Sequence, residues 1–185
     1  RSKLLNHVDL MYKLEGIETK HASVTFGSRG YYLMGPLVRL NMAIIHYALD
    51  FLEKRTYTAV QPPFFMRKDM MARVAQLEEF DEALYKVTGD GEERYLIATS
   101  EQPICALHAG DWIDPKALPK RYMGWSPCFR KEAGSHGRDT SGIFRVHQFE
   151  KVEQFCLTSP HNNESWKMME ELIENAEGFY QSLNL

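Results

Sequence analysis

The sequence has few cysteines and no pattern among them that does chemistry. Cys105, Cys128 and Cys156 are odd in number and far apart, with neither a CxxC pair nor a Cys/His zinc spacing. That argues against a disulfide framework and a structural zinc site, and for free thiols in a reducing, cytoplasmic setting. No apolar run of membrane length and no lipidation motif is present, so no membrane partner is expected. Charge of neither sign dominates. A net charge of -3 and a pI near 6.2 give no global attraction for a polyanion, so any nucleic-acid contact needs a local patch or residues outside the chain. No repeat, low-complexity run or composition break divides the chain, which reads as one domain over residues 1–185. The first residue is Arg1, not Met, and the last lies just past an amphipathic helical pattern, as expected of a piece of a longer protein.

What is present is an ordinary globular balance, with 44% hydrophobic and 25% charged residues. Leu37 to Arg55 puts Leu40, Ile44, Ala48 and Phe51 at helical spacing, flanked by Leu37, Ile45, Leu49 and Leu52. That apolar surface is wider than one core requires and suits a helix that also meets a twin. Tyr57 to Phe65 is strand-like until Pro62-Pro63, which cannot donate to a ladder and belongs at a strand end or an unpaired edge. Met66 to Leu77 predicts a helix. Ala83 to Val87 and Arg94 to Ala98 predict a hairpin turned at Gly89-Asp90-Gly91. Thr99-Ser-Glu-Gln-Pro103 offers a capping hydroxyl, an early carboxylate and a first-turn proline, which together start a helix. Trp166, Met169, Leu172, Ile173, Ala176 and Phe179 predict a long final helix with this stripe on the core.

The chemistry concentrates between Phe129 and Phe155, which reads as strand, polar glycine loop, strand. Gly134, Gly137 and Gly142 are too many for a tight turn and suggest a long mobile tip, with His136 and Arg138 able to close on phosphates or on an RNA end. It is not a Walker loop, because no Gly-Lys-Ser/Thr follows. In the second strand, alternation puts Arg145, His147, Phe149, Lys151, Glu153 and Phe155 on one face. Charges, an aromatic and a histidine on one face are costly to bury without a polar ligand. Phe149 and Glu153 lie roughly 13 Å apart along an extended strand, the length of an aminoacyl-adenylate. On the first strand Arg130 and Glu132 share a face. An arginine fork suits a phosphate and a glutamate accepts from an exocyclic amine. Cross-strand ion pairs on a solvated sheet explain the same residue types about as well.

A resemblance separates these readings. Phe129-Arg-x-Glu132 with the Gly-Arg-Asp-Thr loop resembles motif 2 of the class II aminoacyl-tRNA synthetases, and Arg145-Val-His-Gln-Phe-Glu-Lys-Val-Glu153 is similar to the seryl members in particular. The long helix running to Pro62 resembles motif 1, the dimer-forming element, and Thr99-Ser-Glu101 resembles the seryl Thr-x-Glu motif. Gly27-Ser-Arg-Gly-Tyr-Tyr32 resembles the segment before motif 1, so the likeness runs from Asn6 to the final helix.

The resemblance implies an α+β fold, with a class II antiparallel sheet flanked by helices, in a partial catalytic domain that has motifs 1 and 2. Motif 3 is then expected beyond Leu185 and the tRNA-gripping arm before Arg1, leaving this piece inactive alone. By position, Arg130 and Glu132 are the expected catalytic pair. Arg130, Lys131, Glu132, Val146, His147, Gln148 and Phe149 would bind ATP; Arg130 takes the α-phosphate, Glu132 the adenine amine, and Phe149 the adenine face. Thr99, Ser100, Glu101, Arg130 and Glu153 would bind serine. ATP with Mg²⁺, serine, tRNA(Ser) and a second copy through the motif 1 helix are the implied partners, with tRNA(Sec) a further candidate. No metal ligand is identified. A synthetase-like regulatory protein and a threonyl or prolyl enzyme stand as the competing readings.

Overall fold

The computed structural model describes residues 4–76, 80, 82–89, 91–133 and 142–185. The glycine tip, with Gly134, His136, Gly137 and Arg138, lies outside the described residues, as do Leu77 and Asp90.

The main sheet is built on a ten-residue antiparallel pair. Strand β7 (Lys120–Phe129) faces β8 (Gln148–Leu157) in register from Lys120↔Leu157 to Phe129↔Gln148. A third strand, β3 (Thr58–Val60), joins β7 in parallel, Thr58↔Tyr122 to Val60↔Gly124. The sheet is therefore mixed, where an antiparallel one was expected. A parallel neighbour needs a long crossover, and everything between β3 and β7 supplies it. That crossover includes a second, antiparallel sheet in the order β4 (Phe65–Arg67), β6 (Arg94–Leu96), β5 (Lys86–Val87), so the expected hairpin forms with shorter strands. Pro62-Pro63 sits where the chain leaves one sheet for the other, a place that needs no ladder donor.

The helix expected from Met66 to Leu77 shrinks to one turn, α4 (Lys68–Met71). Met66 pairs with Tyr95 in the second sheet, and Met66 and Met71 bury in the same cluster with Phe80, Leu84, Tyr95 and Ile97. Two elements share the apolar spacing that one helix was expected to own. The long helices form as read: α3 (Gly35–Glu53) and the final helix α6 (Glu164–Ser182). Both cover the same side of the main sheet, where Leu52, Tyr57 and Met123 pack with Phe51, Val152 and Leu172. Arg121 grips Glu171 on α6 with two hydrogen bonds of 2.7 and 2.8 Å, and Tyr57 donates to the same carboxylate at 3.1 Å.

The stripe on α6 is a correction. Met168 and Asn175 are buried with Leu172 and Phe179 partly so, whereas Trp166 is 72% exposed and Met169 and Ile173 are exposed beside it. Two neighbouring rows at three-and-four spacing had been read as one; the Met168 row meets the sheet and the Trp166 row does not. α3 also carries two surfaces. Leu37, Ala48 and Leu52 are buried, while Leu40, Met42 and Ile44 are exposed.

Residues 4–34 wrap the open end of the β7–β8 pair. α1 (His7–Lys13) is capped by the Asn6 side chain, and the ribbon of β1 (Ile17–Glu18) and β2 (Tyr32–Leu33) encloses α2 (Lys20–Thr25).

Candidate active site

Helix α5 (Glu101–Leu107) rests its N-terminus directly on the sheet, because Gly124 of β7 leaves room. A Cβ there would run into Ser100 and Ile104. Gly124 is the register partner of Glu153, so the Thr99–Glu101 turn comes down on that carboxylate. Glu153 Oε2 accepts from Thr99 Oγ1 at 2.5 Å, Ser100 Oγ at 2.9 Å and the Glu101 backbone N–H at 3.2 Å. Its other oxygen accepts from Lys151 Nζ at 2.7 Å, and the same ammonium donates to Thr99 Oγ1 at 2.8 Å. Burial pushes the Glu153 carboxyl up, but the bonds from Lys151, Thr99 and Ser100 outweigh it and hold the group below the usual carboxylate range.

This arrangement consumes the Thr99 hydroxyl. Its proton goes to Glu153, and its lone pairs receive Lys151 and, at 3.3 Å, the Glu101 N–H. The capping hydroxyl foreseen at Thr99 is there, shared with a carboxylate from another strand. Ser100 is fully buried, so it meets any ligand only through Glu153. Glu101 is exposed, and its carboxylate accepts no hydrogen bond among the described residues.

At the other end of the pair, β7 stops at Phe129, so Arg130 and Glu132 do not share a strand face as the alternation suggested. Arg130 N donates to His147 O at 2.9 Å, Arg130 Nε donates to Ala98 O at 3.2 Å, and its guanidinium lies 5.1 Å from the centre of the Phe149 ring. Glu132 takes a left-handed backbone, φ 52°, fixed by Arg29 Nη1, which donates to its carbonyl at 2.8 Å. Arg145 pairs with the Glu132 carboxylate at 3.1 Å. Arg130, Glu132, Phe144, Arg145, Val146 and Phe149 line one cleft of about 680 Å³.

The remaining expected residues surround it. β8 begins at Gln148, three residues later than the alternation implied, so Arg145, Val146 and His147 precede the strand. His147 Nδ1 sits 3.0 Å from Arg130 O and 2.9 Å from the Tyr85 hydroxyl, bracing the arginine's backbone. Lys131 N donates to Ala83 O at 3.0 Å. Gln148 lines a different cleft, of about 600 Å³, with Tyr31 and Trp125. From Phe149 on, the alternation holds: Phe149, Lys151 and Glu153 face the clefts and α5, while Val152 and Gln154 meet the helices.

Sequence reasoning missed Arg29, Tyr85 and His7 as parts of the site. No local signal tied them to it, because each reaches it across the fold. His7 Nε2 accepts from Ile143 N at 3.3 Å and its ring lies 4.1 Å from that of Phe144, tilted at 52°, at the return of the glycine loop. Gly142 is left-handed there, φ 74°, and a Cβ would overlap His7. Arg145 and Lys151 were visible in the motif yet given no role.

Comparison with known proteins fits this geometry. The family model described as tRNA synthetase class II core domain (G, H, P, S and T) matches residues 85–185. A serine–tRNA ligase of Helianthus annuus is 64% identical over 184 residues, covering 100% of this chain and 42% of the relative. The cytoplasmic serine–tRNA ligase of Arabidopsis thaliana is 60% identical, covering 99% and 41%. The chain thus spans about two fifths of these relatives. The cytoplasmic serine–tRNA ligase of Naegleria fowleri, solved with AMP, superposes with a TM-score of 0.95 at 57% identity, covering 98% of this chain and 42% of that one. The seryl-tRNA synthetase of Pyrococcus horikoshii, solved with ATP, gives 0.91 at 45%, covering 98% and 40%. With a family model over more than half its length and two solved relatives on almost all of it, the chain belongs to the class II tRNA synthetase core family.

Proposed function

We propose that the whole protein containing this chain activates serine with ATP and transfers it to tRNA(Ser), with tRNA(Sec) a second acceptor, in the cytoplasm. The observation that carries the reading is the spacing of two unlike ends on one strand. Phe149 and Arg130 bound a cleft, and four residues along stands an ionised carboxylate held by α5. Solved relatives hold AMP and ATP, and ATP is the nucleotide assigned here.

In this reading adenine lies on Phe149 with its amine toward Glu132, and Val146 meets it through the backbone. Serine places its ammonium near Glu153. One serine carboxylate oxygen attacks the α-phosphorus in line, the bond to the bridging oxygen breaks, and pyrophosphate leaves with that electron pair. Arg130 neutralises charge on the α-phosphate, so the enzyme supplies position and electrostatics and no covalent nucleophile. Mg²⁺ would screen the phosphates of ATP. Among the described residues no three His, Cys, Asp or Glu side chains gather into a metal-holding group, and none is assigned to it.

Thr99 has no hydrogen-bonding capacity left, so reading of the serine hydroxyl falls to the exposed Glu101 carboxylate. A pocket that pairs with a hydroxyl rejects alanine strongly, because the pocket group would be left unpaired. Leu40, Met42 and Ile44 on α3 form a surface for a second copy in a two-fold dimer. Sedimentation of a monomer at micromolar concentration would remove that assignment.

The test of function is ATP–pyrophosphate exchange by the full-length protein with serine, alanine, threonine and proline in turn. Exchange with serine far above the others is expected. Absence of exchange with every amino acid would favour a regulatory protein on the same fold, and preference for threonine or proline another member of the class.

A further inference from the structure

We propose that Lys151 is a positioning residue for the amino-acid pocket, occupying one oxygen of Glu153 and setting the direction of the Thr99 hydroxyl before any substrate arrives. The proposal rests on the serine-activation reading and deepens it.

The argument is one of satisfiability. Glu153 offers about four acceptor positions. With two positions on each oxygen, the Thr99 and Ser100 hydroxyls fill Oε2, the Glu101 N–H adds a longer bond there that it shares with Thr99 Oγ1, and Lys151 takes one of the two positions on Oε1. One position on Oε1 remains for a substrate ammonium. Thr99 has one proton and two lone pairs. Lys151 occupies one lone pair, which forces the proton toward Glu153. Without Lys151 the hydroxyl loses one of the three contacts that orient it, and among the described residues the carboxylate loses its ionic partner within hydrogen-bond reach. Lys151 is 30% and Glu153 21% exposed, so the pair is only partly screened by water. A second lysine-like ammonium on the same carboxylate also sets a limit. A ligand must bring its own ammonium beside that of Lys151, which favours one that also carries a carboxylate or phosphate to balance the added charge.

The groups facing Glu153 are few. Among the described residues Lys151 lies on its own strand, Thr99, Ser100 and Glu101 head α5, and the buried Cys128 thiol comes from β7. Cys128 is pushed up by burial and stays neutral near pH 7, so Lys151 is the close cation that keeps Glu153 ionised.

The experiment is serine-dependent ATP–pyrophosphate exchange by the full-length protein, wild type against Lys151→Met and Lys151→Arg, from pH 5 to 9. Removing the cation raises the Glu153 pKa, so the acidic limb of kcat/KM for serine should move to higher pH in Lys151→Met. Loss of a charge-assisted bond should raise its serine KM about tenfold, with the ATP KM within about twofold. Lys151→Arg should return the limb to the wild-type position. An unmoved limb in Lys151→Met, or equal rises in both KM values, would overturn the proposal and leave Lys151 a structural residue. If Lys151→Met does not fold, Lys151→Gln, which keeps a donor without charge, carries the same expectation and the same refutation. A wild type with no serine-dependent exchange would instead refute the functional reading itself.

Discussion

The two ends of the β7–β8 pair solve the same problem in opposite ways. At the end proposed for the amino acid the protein satisfies its own carboxylate in advance, with four donors on Glu153. At the end proposed for the nucleotide, one Arg130 nitrogen holds Ala98 O, while its two terminal nitrogens make no hydrogen bond among the described residues, and the Phe149 ring lies beside the guanidinium. The first end is densely hydrogen-bonded within the protein. The second has binding capacity to spare and is fixed through the backbone, by His147, Tyr85 and Arg29. A small ligand with few groups is best read by a pocket whose polar atoms are already oriented. A large, highly charged one brings enough interactions to order loosely held partners itself.

The sharpest way to break this contrast is Arg130→Ala in the full-length protein. Loss of a phosphate-directed cation should lower the exchange rate by about 10²- to 10³-fold, with the urea midpoint unchanged. A substantial loss of stability would mean that the arginine serves the fold first. Next is Glu153→Gln, which keeps the shape and removes the charge. Leaving Lys151 without its anion should cost about 3 kcal/mol, or roughly a hundredfold in kcat/KM for serine. The ATP KM should barely move, and a parallel rise would dissolve the division between the ends. Gly142→Ala probes the nucleotide end from its outer side. A left-handed alanine costs about 1–2 kcal/mol and would displace His7, so the ATP KM should rise about fivefold while the serine KM stays. Smallest is Glu171→Gln, on the helix behind both ends. Arg121 holds the Glu171 carboxyl below the usual range. With its folded pKa depressed, Glu171 contributes stability above about pH 4.3 and loses it as the pH falls. The variant should unfold about 1 kcal/mol more easily at pH 7, an amount already discounted for an anion that is 35% exposed, and that gap should close on acidification.

The sequence singled out Thr99, Ser100, Glu101 and Glu153, and the fold brings these four together because they sit in short continuous segments whose local order is readable, while Lys151 stood on the same strand face without an assigned ligand. Alternation held from Phe149 to Glu153, where β8 is paired throughout. It failed at Arg130, Glu132 and Arg145, which lie just past the strand ends, where nothing enforces the two-residue period. The long helices were readable from spacing alone. How many rows of α6 meet the sheet was not, since Trp166 and Met168 are one row apart and only the tertiary contact separates them. Parallel pairing of β3 was invisible for a similar reason, as it joins residues with a whole sheet between them in the chain.

That parallel pairing also bears on the order in which the chain can fold. The connection between β7 and β8, residues 130–147, is shorter than the stretch 61–119 that carries the Pro62-Pro63 link, the second sheet and α5 between β3 and β7, so closing the β7–β8 pair costs less chain entropy. Local closure favours the β7–β8 pair forming first, with Lys151 and Glu153 side by side on one face of β8. The donors of α5 reach that carboxylate later, with the crossover. Lys151, on the same strand as Glu153, needs no such crossover to reach it.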